Sequence, residues 1–246
     1  MFPGFTLKTG KVIGRSHILA GRNCQDSLKT STTEINGRTY MVGWISDGCS
    51  EGAHSEIGSN LATEFLLNQS LNYLNEDIPL EIIPLFLFED LLSFLRSTLI
   101  WQSLDTPQKQ ALFIKDFLLF TLVGYIIGPK HSLVMAYGDG LVIINDRIYR
   151  RDFHDESPYP GYLLIDPLYL DPNRRPISQA FDVFTFETAS IKKLAIGSDA
   201  WLQEFDLVSQ VWGHKHPNQV QRNMNIWSDQ KKLVDDASII VIEAAL

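Results

Sequence analysis

The chain has 246 residues, of which 45% are hydrophobic and 20% charged, so it is long enough for a sizeable core and is neither disordered nor fibrous in composition. The formal net charge is -8, and Lys and Arg form no stripe that could follow a phosphate backbone, which argues against nucleic acid as a partner. An anionic ligand would approach against this charge, so its site would need local positive charge, such as a bound divalent cation.

The cysteines and the apolar runs indicate where the protein works. Only two cysteines occur, Cys24 and Cys49, without Cys-x-x-Cys spacing, so a reducing cytoplasm is the expected compartment. The N-terminus lacks the basic region and apolar core of a secretory signal. The longest apolar runs, residues 82–88 and 117–127, are too short to cross a bilayer. We therefore expect a soluble, cytoplasmic protein with no membrane partner.

The first half of the chain predicts one strand followed by helices. Residues 40–46 are apolar and predict a strand that ends in the Asp-Gly turn at residues 47–48. Apolar positions recur at helical spacing over residues 55–73 and again over residues 85–102. The Thr-Pro pair at residues 106–107 predicts the capped start of a short third helix.

The second half changes from helix to sheet. It predicts an antiparallel meander with strands at residues 121–127, 132–137, 141–144 and 147–150. An irregular segment follows, which we call the flap (residues 152–176), and only residues 162–165 in it look strand-like. The remainder predicts strands at residues 183–188, 193–197 and 238–243, a helix at residues 200–208, and a polar stretch through residue 225. Neither a repeat nor a linker divides the chain, so we expect one α+β domain over residues 1–246.

Four aspartates share one setting, because each stands where a predicted strand meets a turn. They are Asp26, Asp47, Asp199 and Asp235. Taken singly, each is ordinary turn or helix-cap chemistry. Their neighbours, read in order, carry more information.

Six segments resemble, in sequence order, the successive motifs of the protein phosphatase 2C family. They are Asn23-Cys24-Gln25-Asp26, Ser46-Asp47-Gly48, Thr121-Leu122, Tyr137-Gly138-Asp139, the LAIGSDAW run at residues 194–201 and the DDASIIV run at residues 235–241. Two further patterns resemble a divergent bacterial branch of the family: Gly14-x-x-His17-x-x-x-Gly21-x-x-Cys24-Gln25-Asp26 and Ser55-Glu56-x-Gly58. The resemblance runs over nearly the whole chain.

The resemblance implies a four-layer αββα sandwich, in which two antiparallel sheets are flanked by helices, with two Mn or Mg ions in a cleft at one edge. By motif position, Asp47 would bridge both ions and Gly48 would offer its backbone carbonyl to one. Asp199 and Asp235 would bind the other, and Asp26 would hold the cluster directly or through water. Hard oxygen ligands suit these ions. A hydroxide bridging them would attack the phosphoryl group of phosphoserine or phosphothreonine in a protein substrate.

The chain departs from the family's pattern at the groups that would handle phosphate. Relatives place an arginine five residues before the first aspartate, where this chain has Gly21, so Arg22 or His17 is the candidate for binding phosphate. For the general acid the candidates are His54 and His17, with a metal-bound water as the alternative.

Three further acids are compared with the family's pattern. Asp116, five residues before Thr121, is a candidate ligand for a third ion, or else a solvated residue at a helix end. Asp139 matches the family's Gly-Asp turn and is expected to be structural. Asp236 stands where relatives have asparagine, so its charge would tighten metal binding or require an arginine to balance it.

Two other functions remain open. A non-catalytic module with the same fold would bind a phosphoprotein or a regulatory partner without hydrolysis, and a phosphatase for small molecules would prefer metabolite esters. Retention of all four metal aspartates favours catalytic activity over a non-catalytic module. The displaced arginine and the lack of one clear general acid favour the non-catalytic alternative.

Overall fold

The structure is a computed structural model that describes residues 4–171 and 177–245. Within these ranges the chain forms ten strands and seven α-helices. In chain order they are β1 (Phe5–Val12), α1 (Arg15–Ala20), β2 (Ser27–Ile35), β3 (Arg38–Ser46), α2 (Ser55–Asn75), α3 (Ile83–Trp101), α4 (Pro107–Phe117), β4 (Leu122–Ile127), β5 (His131–Tyr137), β6 (Gly140–Ile144), β7 (Arg147–Arg151), β8 (Asp182–Glu187), β9 (Lys193–Gly197), α5 (Ala200–Gln203), α6 (Phe205–Val208), α7 (Gln219–Asp229) and β10 (Ala237–Ala244).

The strands form two five-stranded antiparallel sheets. The first sheet has the order β1-β10-β9-β6-β7, and the second has the order β2-β3-β4-β5-β8. Every pair of neighbouring strands runs antiparallel. The expected α+β class with two antiparallel sheets is confirmed.

The layers follow from which side chains each strand buries. Successive residues of a strand point to opposite faces, and β3 is buried on both: Met41 and Ile45 enter the core between the sheets, whereas Val42 and Trp44 pack outward. Helices α2, α3 and α4 cover that outer face of the second sheet. Helices α5 and α7 cover the outer face of the first sheet. The predicted αββα sandwich is therefore confirmed.

Most predicted elements of regular periodicity are confirmed to within a few residues. Strands 40–46 and 193–197 and helices 55–73 and 85–102 correspond to β3, β9, α2 and α3. Helix α4 begins directly after Thr106, whose hydroxyl accepts a hydrogen bond from the backbone N–H of Lys109 at 3.3 Å. The Thr-Pro signal thus marks a real helix cap.

The predicted meander is wrong. β5 pairs with β4 in the second sheet, whereas β6 pairs with β7 and β9 in the first. The chain therefore passes from one sheet to the other at the Gly-Asp-Gly turn. Gly138 has φ 83° and Gly140 has φ 149°, which side chains rarely tolerate. A tight turn between two strand-like runs resembles a hairpin in sequence, although here it joins two sheets.

Other local details differ from the sequence predictions. Residues 162–165 are not a strand, because Pro160–Leu164 form a short 3₁₀ helix. The helix predicted at residues 200–208 is divided into α5 and α6. The polar stretch through residue 225 contains the start of α7, which buries only Val220, Met224 and Trp227 along one narrow face. Strands β1 and β2 went unpredicted because both lie at sheet edges and carry many polar residues.

The flap is described as far as residue 171, and its remaining residues, 172–176, lie outside the described part of the chain. Its described portion contains three short 3₁₀ helices. No helix in the described residues is long and apolar enough to cross a membrane.

Candidate metal centre

The topology brings the four aspartates to one edge of the sandwich. Asp26 immediately precedes β2 and Asp47 immediately follows β3, and the adjoining residues of these strands, Ser27 and Ser46, face each other in the ladder. The first sheet contributes the other two in the same way. Asp199 lies two residues beyond β9 and Asp235 two residues before β10, and these strands are also paired.

Asp26 connects the two sheets at this edge. Its side chain is completely buried and interacts with Asp47 from its own sheet and with Ser198 and Ser238 from the other. Neither carboxylate oxygen of Asp26 has a partner of good hydrogen-bond geometry among the described residues, and the same is true of Oδ1 of Asp199. Buried acceptors are normally satisfied, so these oxygens need a donor or a cation.

Burial raises the pKa values of three of these carboxyl groups, and the charges of neighbouring acids add to the effect. Burial raises the pKa of Asp26 to about 7, and the charge of Asp236 adds to the effect. Burial, followed by the charges of Asp199 and Asp26, raises the pKa of Asp47 well above its ordinary value. Burial and the charge of Asp235 raise the pKa of Asp199. Such a group of acids requires local positive charge in order to be fully ionised.

The donor chemistry fits a divalent cation. Several buried carboxylate oxygens without partners form the hard, anionic environment that Mg and Mn prefer. The geometry is not that of a preformed ligand set, since among the residues described no three His, Cys, Asp or Glu side chains are arranged to hold an ion. The cluster thus fits a divalent cation by its charge and by the type of its donor atoms.

The backbone around Asp47 is held from two sides. Its carbonyl oxygen accepts a hydrogen bond from Thr121 at 2.8 Å, and the next residue, Gly48, donates to the carbonyl oxygen of Gln25 at 3.3 Å. A Cβ at Gly48 would lie 2.7 Å from Oγ of Ser55, so any side chain there would displace the start of α2. The proposed backbone ligand is therefore a glycine for steric reasons.

Arg22 lies beside the loop that follows Asp47. Its side chain is exposed, and Nη1 donates a hydrogen bond to the carbonyl oxygen of Ser50 at 2.5 Å. The guanidinium is thereby held against the backbone of Ser50, which follows Asp47 by three residues.

The two candidate histidines occupy different environments. His17 is buried, and its Nδ1 lies 2.8 Å from Oδ2 of Asp236. His54 is exposed at the start of α2, where Nδ1 lies 3.7 Å from Oε1 of Glu56 and the ring stacks on Phe117 with 5.4 Å between centroids. The carboxylate of Asp236 is thus faced by a histidine, where the sequence led us to expect an arginine.

Asp116 lies in the last turn of α4, and its carbonyl oxygen accepts a hydrogen bond from the backbone N–H of His54 at 2.9 Å. Asp116 lines a cavity of about 300 Å³ between α4 and the flap, together with Glu51, Tyr162 and Tyr169. No contact seen among the described residues joins its carboxyl group to the four aspartates. Its assignment to a third ion stays a prediction.

Both cysteines lie next to the cluster as free, half-buried thiols. Burial, with a further contribution from Asp26, raises the pKa of the Cys24 thiol to about 12, so this thiol remains protonated near neutral pH. Cys49 interacts with the hydroxyl of Tyr159, a flap residue. Cys24 therefore lacks the lowered pKa of an activated nucleophile.

The family model described as Protein phosphatase 2C matches residues 13–159, which is more than half of the chain. The chain belongs to the protein phosphatase 2C family.

One curated relative is serine/threonine-protein phosphatase 3 of Escherichia coli K12, which is 25% identical over 134 residues. That match covers 54% of this chain and only 50% of the relative, so the chain spans about half the length of the curated protein it matches.

The solved structures extend the likeness of fold to almost the whole chain. Serine/threonine phosphatase Stp1 from Staphylococcus aureus superposes with a TM-score of 0.59 at 13% identity, covering 98% of this chain and 95% of that one. Serine/threonine phosphatase PstP/Ppp from Mycobacterium tuberculosis gives a TM-score of 0.61 at 12% identity, with coverage of 98% and 99%. RsbX in complex with magnesium gives 0.55 at 12% identity, with coverage of 98% and 96%.

Three features of this member of the protein phosphatase 2C family went unnoticed in the sequence. Ser198 and Ser238 face Asp26 and join the sheets at the cluster, where the Ser238 N–H also donates to Oγ of Ser198 at 3.1 Å. Tyr159 brings the flap against the loop after Asp47. The serines stand within the quoted motifs, so their proximity to the aspartates was a usable signal. Tyr159 gave no such signal in the sequence, because only the course of the flap in the folded structure brings it to the site.

Proposed function

We propose that the chain is one catalytic domain, spanning residues 1–246, that hydrolyses phosphoserine and phosphothreonine esters of proteins with the help of two Mn or Mg ions. The observation that carries the proposal is the aspartate cluster, which both sheets build around the fully buried Asp26. Both carboxylate oxygens of Asp26 and Oδ1 of Asp199 lack a hydrogen-bond partner among the described residues. Two free cysteines agree with work in a reducing compartment such as the cytoplasm.

Asp47 has the central position expected of a bridging ligand, because its carboxyl interacts with those of Asp26 and Asp199 and feels the charge of Asp235. We assign Asp47 to both ions, with the backbone carbonyl of Gly48 as an additional ligand. Asp199 and Asp235 would hold the other ion from the first sheet, and Asp26 would hold the cluster directly or through water. When bound, the ions offset the charge of the carboxylates and activate a water molecule for attack on phosphorus.

Side chains of the protein are the candidates for binding the phosphate ester and for donating a proton to the leaving group. Arg22 is the candidate for binding the phosphate, since its guanidinium is exposed and anchored beside the Asp47 loop. His54 is exposed near the same loop and can reach solvent to donate a proton to the leaving alkoxide, with a metal-bound water as the alternative acid. His17 is engaged by Asp236 and is buried, which favours a supporting part over contact with the ester.

The decisive experiment measures release of phosphate from a phosphothreonine peptide with Mn, with Mg and with EDTA. We expect turnover with either ion and none with EDTA. Asp47→Asn should lower kcat/KM by more than about 100-fold, because even residues that merely support a metal ligand typically contribute 10- to 100-fold. Asp105→Asn, the same substitution at an exposed aspartate next to α4, serves as the control and should retain full activity.

The same assay separates the alternative functions. A non-catalytic module would bind the phosphopeptide without metal-dependent release of phosphate. A small-molecule phosphatase would favour metabolite esters over the peptide by a large ratio of kcat/KM. Undiminished turnover by Asp47→Asn would rule out the assignment of the centre.

A further inference from the structure

Residues 14–25, between β1 and β2, form a segment that we call the clasp, because it is fastened along the loop that leads into β10. The N–H of Arg15 donates to the carbonyl oxygen of Leu233 at 3.2 Å, and that of Ser16 donates to the carbonyl oxygen of Val234 at 3.0 Å. The hydroxyl of Ser16 also donates to the latter oxygen at 2.8 Å. The clasp leads directly into Asp26, so it joins one predicted metal ligand to the loop that carries another, Asp235.

A single buried carboxylate closes both ends of the clasp. Asp236 is 1% exposed; its Oδ1 accepts a hydrogen bond from the N–H of Gly14 at 2.6 Å, and its Oδ2 accepts one from the N–H of Gln25 at 2.5 Å. Gln25 directly precedes Asp26, and Asp236 directly follows Asp235. The carboxylate therefore fixes the backbone beside one predicted ligand to the backbone beside the other.

His17 faces the same carboxylate from inside the clasp. It is 6% exposed, and its Nδ1 lies 2.8 Å from Oδ2 of Asp236. A buried carboxylate is costly unless it is paired and hydrogen-bonded. Here two backbone N–H groups donate hydrogen bonds to it, and the imidazole adds a close polar contact whose angle is not that of a hydrogen bond. Removing the imidazole would leave the carboxylate less well satisfied and weaken its hold on both ends of the clasp.

Two glycines shape the clasp, one by allowing a close approach and the other by its backbone conformation. A Cβ at Gly14 would lie 2.2 Å from the carbonyl carbon of Asp235 and 2.5 Å from the backbone nitrogen of Asp236, so no other residue fits without moving that loop. Gly21 ends α1 with φ 64°, and its N–H returns to the carbonyl oxygen of Ile18. The clasp thus explains the sequence spacing of its key residues, which are Gly14, His17, Gly21 and Gln25.

We propose that Asp236 and His17 are positioning residues that set the distance between Asp26 and Asp235 by closing the clasp, without touching the substrate. The inference rests on the proposed function for the identity of these two aspartates as metal ligands. The clasp itself is a property of the apoprotein and can be measured without metal.

The test compares His17→Ala and Asp236→Asn with His17→Asn, whose amide nitrogen can take the place of Nδ1. Lys8→Met is the matched control, because Lys8 is also a buried partner of a carboxylate, with its Nζ 2.5 Å from Oε2 of Glu243. This pair joins β1, which precedes the clasp, to β10, which follows Asp236. Two quantities are measured for each protein: amide hydrogen exchange of residues 14–26 in EDTA, and the affinity for Mn from the concentration of free ion.

We expect His17→Ala and Asp236→Asn to accelerate exchange within the clasp and to weaken Mn binding by about 10- to 100-fold, the usual effect of losing a group that orients a metal ligand. His17→Asn should recover most of both properties. Lys8→Met should leave both unchanged even if it lowers the midpoint of unfolding as much as His17→Ala does.

Exchange and Mn affinity in His17→Ala equal to those of the wild type, or changed equally by Lys8→Met, would overturn the inference. If His17→Ala does not fold, Asp236→Asn and His17→Asn decide by the same two measurements. A wild-type protein that binds no Mn would overturn the proposed function instead, and the exchange data would still decide whether the pair closes the clasp.

Discussion

Asp139 shows how one side chain connects the flap to the sheets. Its Oδ1 accepts a hydrogen bond from the N–H of Phe153 at 2.7 Å, where the flap begins. Nearby, Nε of Arg151 donates to the carbonyl oxygen of Gly138 at 3.0 Å, and its Nη1 lies 2.7 Å from Oδ2 of Asp182. The turn at which the chain changes sheets thus also anchors the flap, which supports the structural part expected for Asp139 from its motif.

At this residue we predict a specific dependence of stability on pH. Burial, with a contribution from the charge of Asp199, raises the pKa of Asp139 from 3.8 to about 6. The folded state then holds a proton that the unfolded state releases, so this group's contribution to the free energy of unfolding falls as pH rises from about 4 to 6, by about 3 kcal/mol at most. Asp139→Asn keeps the acceptor for Phe153 and removes the titration.

The measurement is urea unfolding in EDTA at several pH values. Relative to wild type, Asp139→Asn should gain stability across that window and keep a constant difference above it. Asp105→Asn controls for the loss of an exposed charge. A difference between Asp139→Asn and wild type that stays constant from pH 4 to 7 would contradict the assignment.

At the scale of elements, α4 is a helix whose start was readable from sequence because its cap chemistry is local. Thr106 has the extended conformation of a cap (φ -129°, ψ 145°), and its hydroxyl satisfies one of the free N–H groups of the first turn. We predict that Thr106→Ala lowers the free energy of unfolding by about 0.5–2 kcal/mol, the usual contribution of such a cap. Thr106→Ser retains the hydroxyl and should lose much less, as judged from urea unfolding. Equal losses in the two variants would show that the hydroxyl does not act as the cap.

Helix α7 escaped prediction because it lacks local signals of this kind. α7 buries Val220, Met224 and Trp227, spaced by four and then three residues, against the first sheet, while the rest of its surface is polar. The contact is close: a Cβ on Gly10 of β1 would lie 2.3 Å from the sulfur of Met224. So few apolar positions in a polar stretch indicate a loop as readily as a helix, and the tertiary partner decides between them.

At the scale of the molecule, the sequence predicted the members of the aspartate cluster better than their arrangement. The order of motifs selected Asp26, Asp47, Asp199 and Asp235, and paired strand ends bring them to one edge. Nothing in the sequence before β2 showed that the clasp would be tied to Asp236, because that contact joins residues more than 200 positions apart. Long-range contacts of this kind depend on the complete topology.

The cluster should weaken the fold when no cation is bound. Three of its carboxyls have pKa values raised by burial and mutual repulsion, so ionising them near neutral pH opposes folding. Asp199→Asn removes one negative charge and keeps nearly the same shape. We therefore predict that this variant, in EDTA, unfolds at a higher temperature than the wild type.

With Mn bound, the order of stability should reverse, so that the wild type is more stable than Asp199→Asn. A ligand that binds only the folded state stabilises it by about 2.7 kcal/mol at a free concentration 100 times its dissociation constant. The wild type should gain this stability, whereas Asp199→Asn, with a ligand lost, should gain little over the same range of concentration. Thermal unfolding of both proteins with and without Mn measures the effect, and Asp105→Asn should behave as the wild type in both conditions. If Asp199→Asn were the less stable protein in EDTA, repulsion within the cluster would not be a cost to the fold, and hydrogen bonds of Asp199 would have to outweigh it.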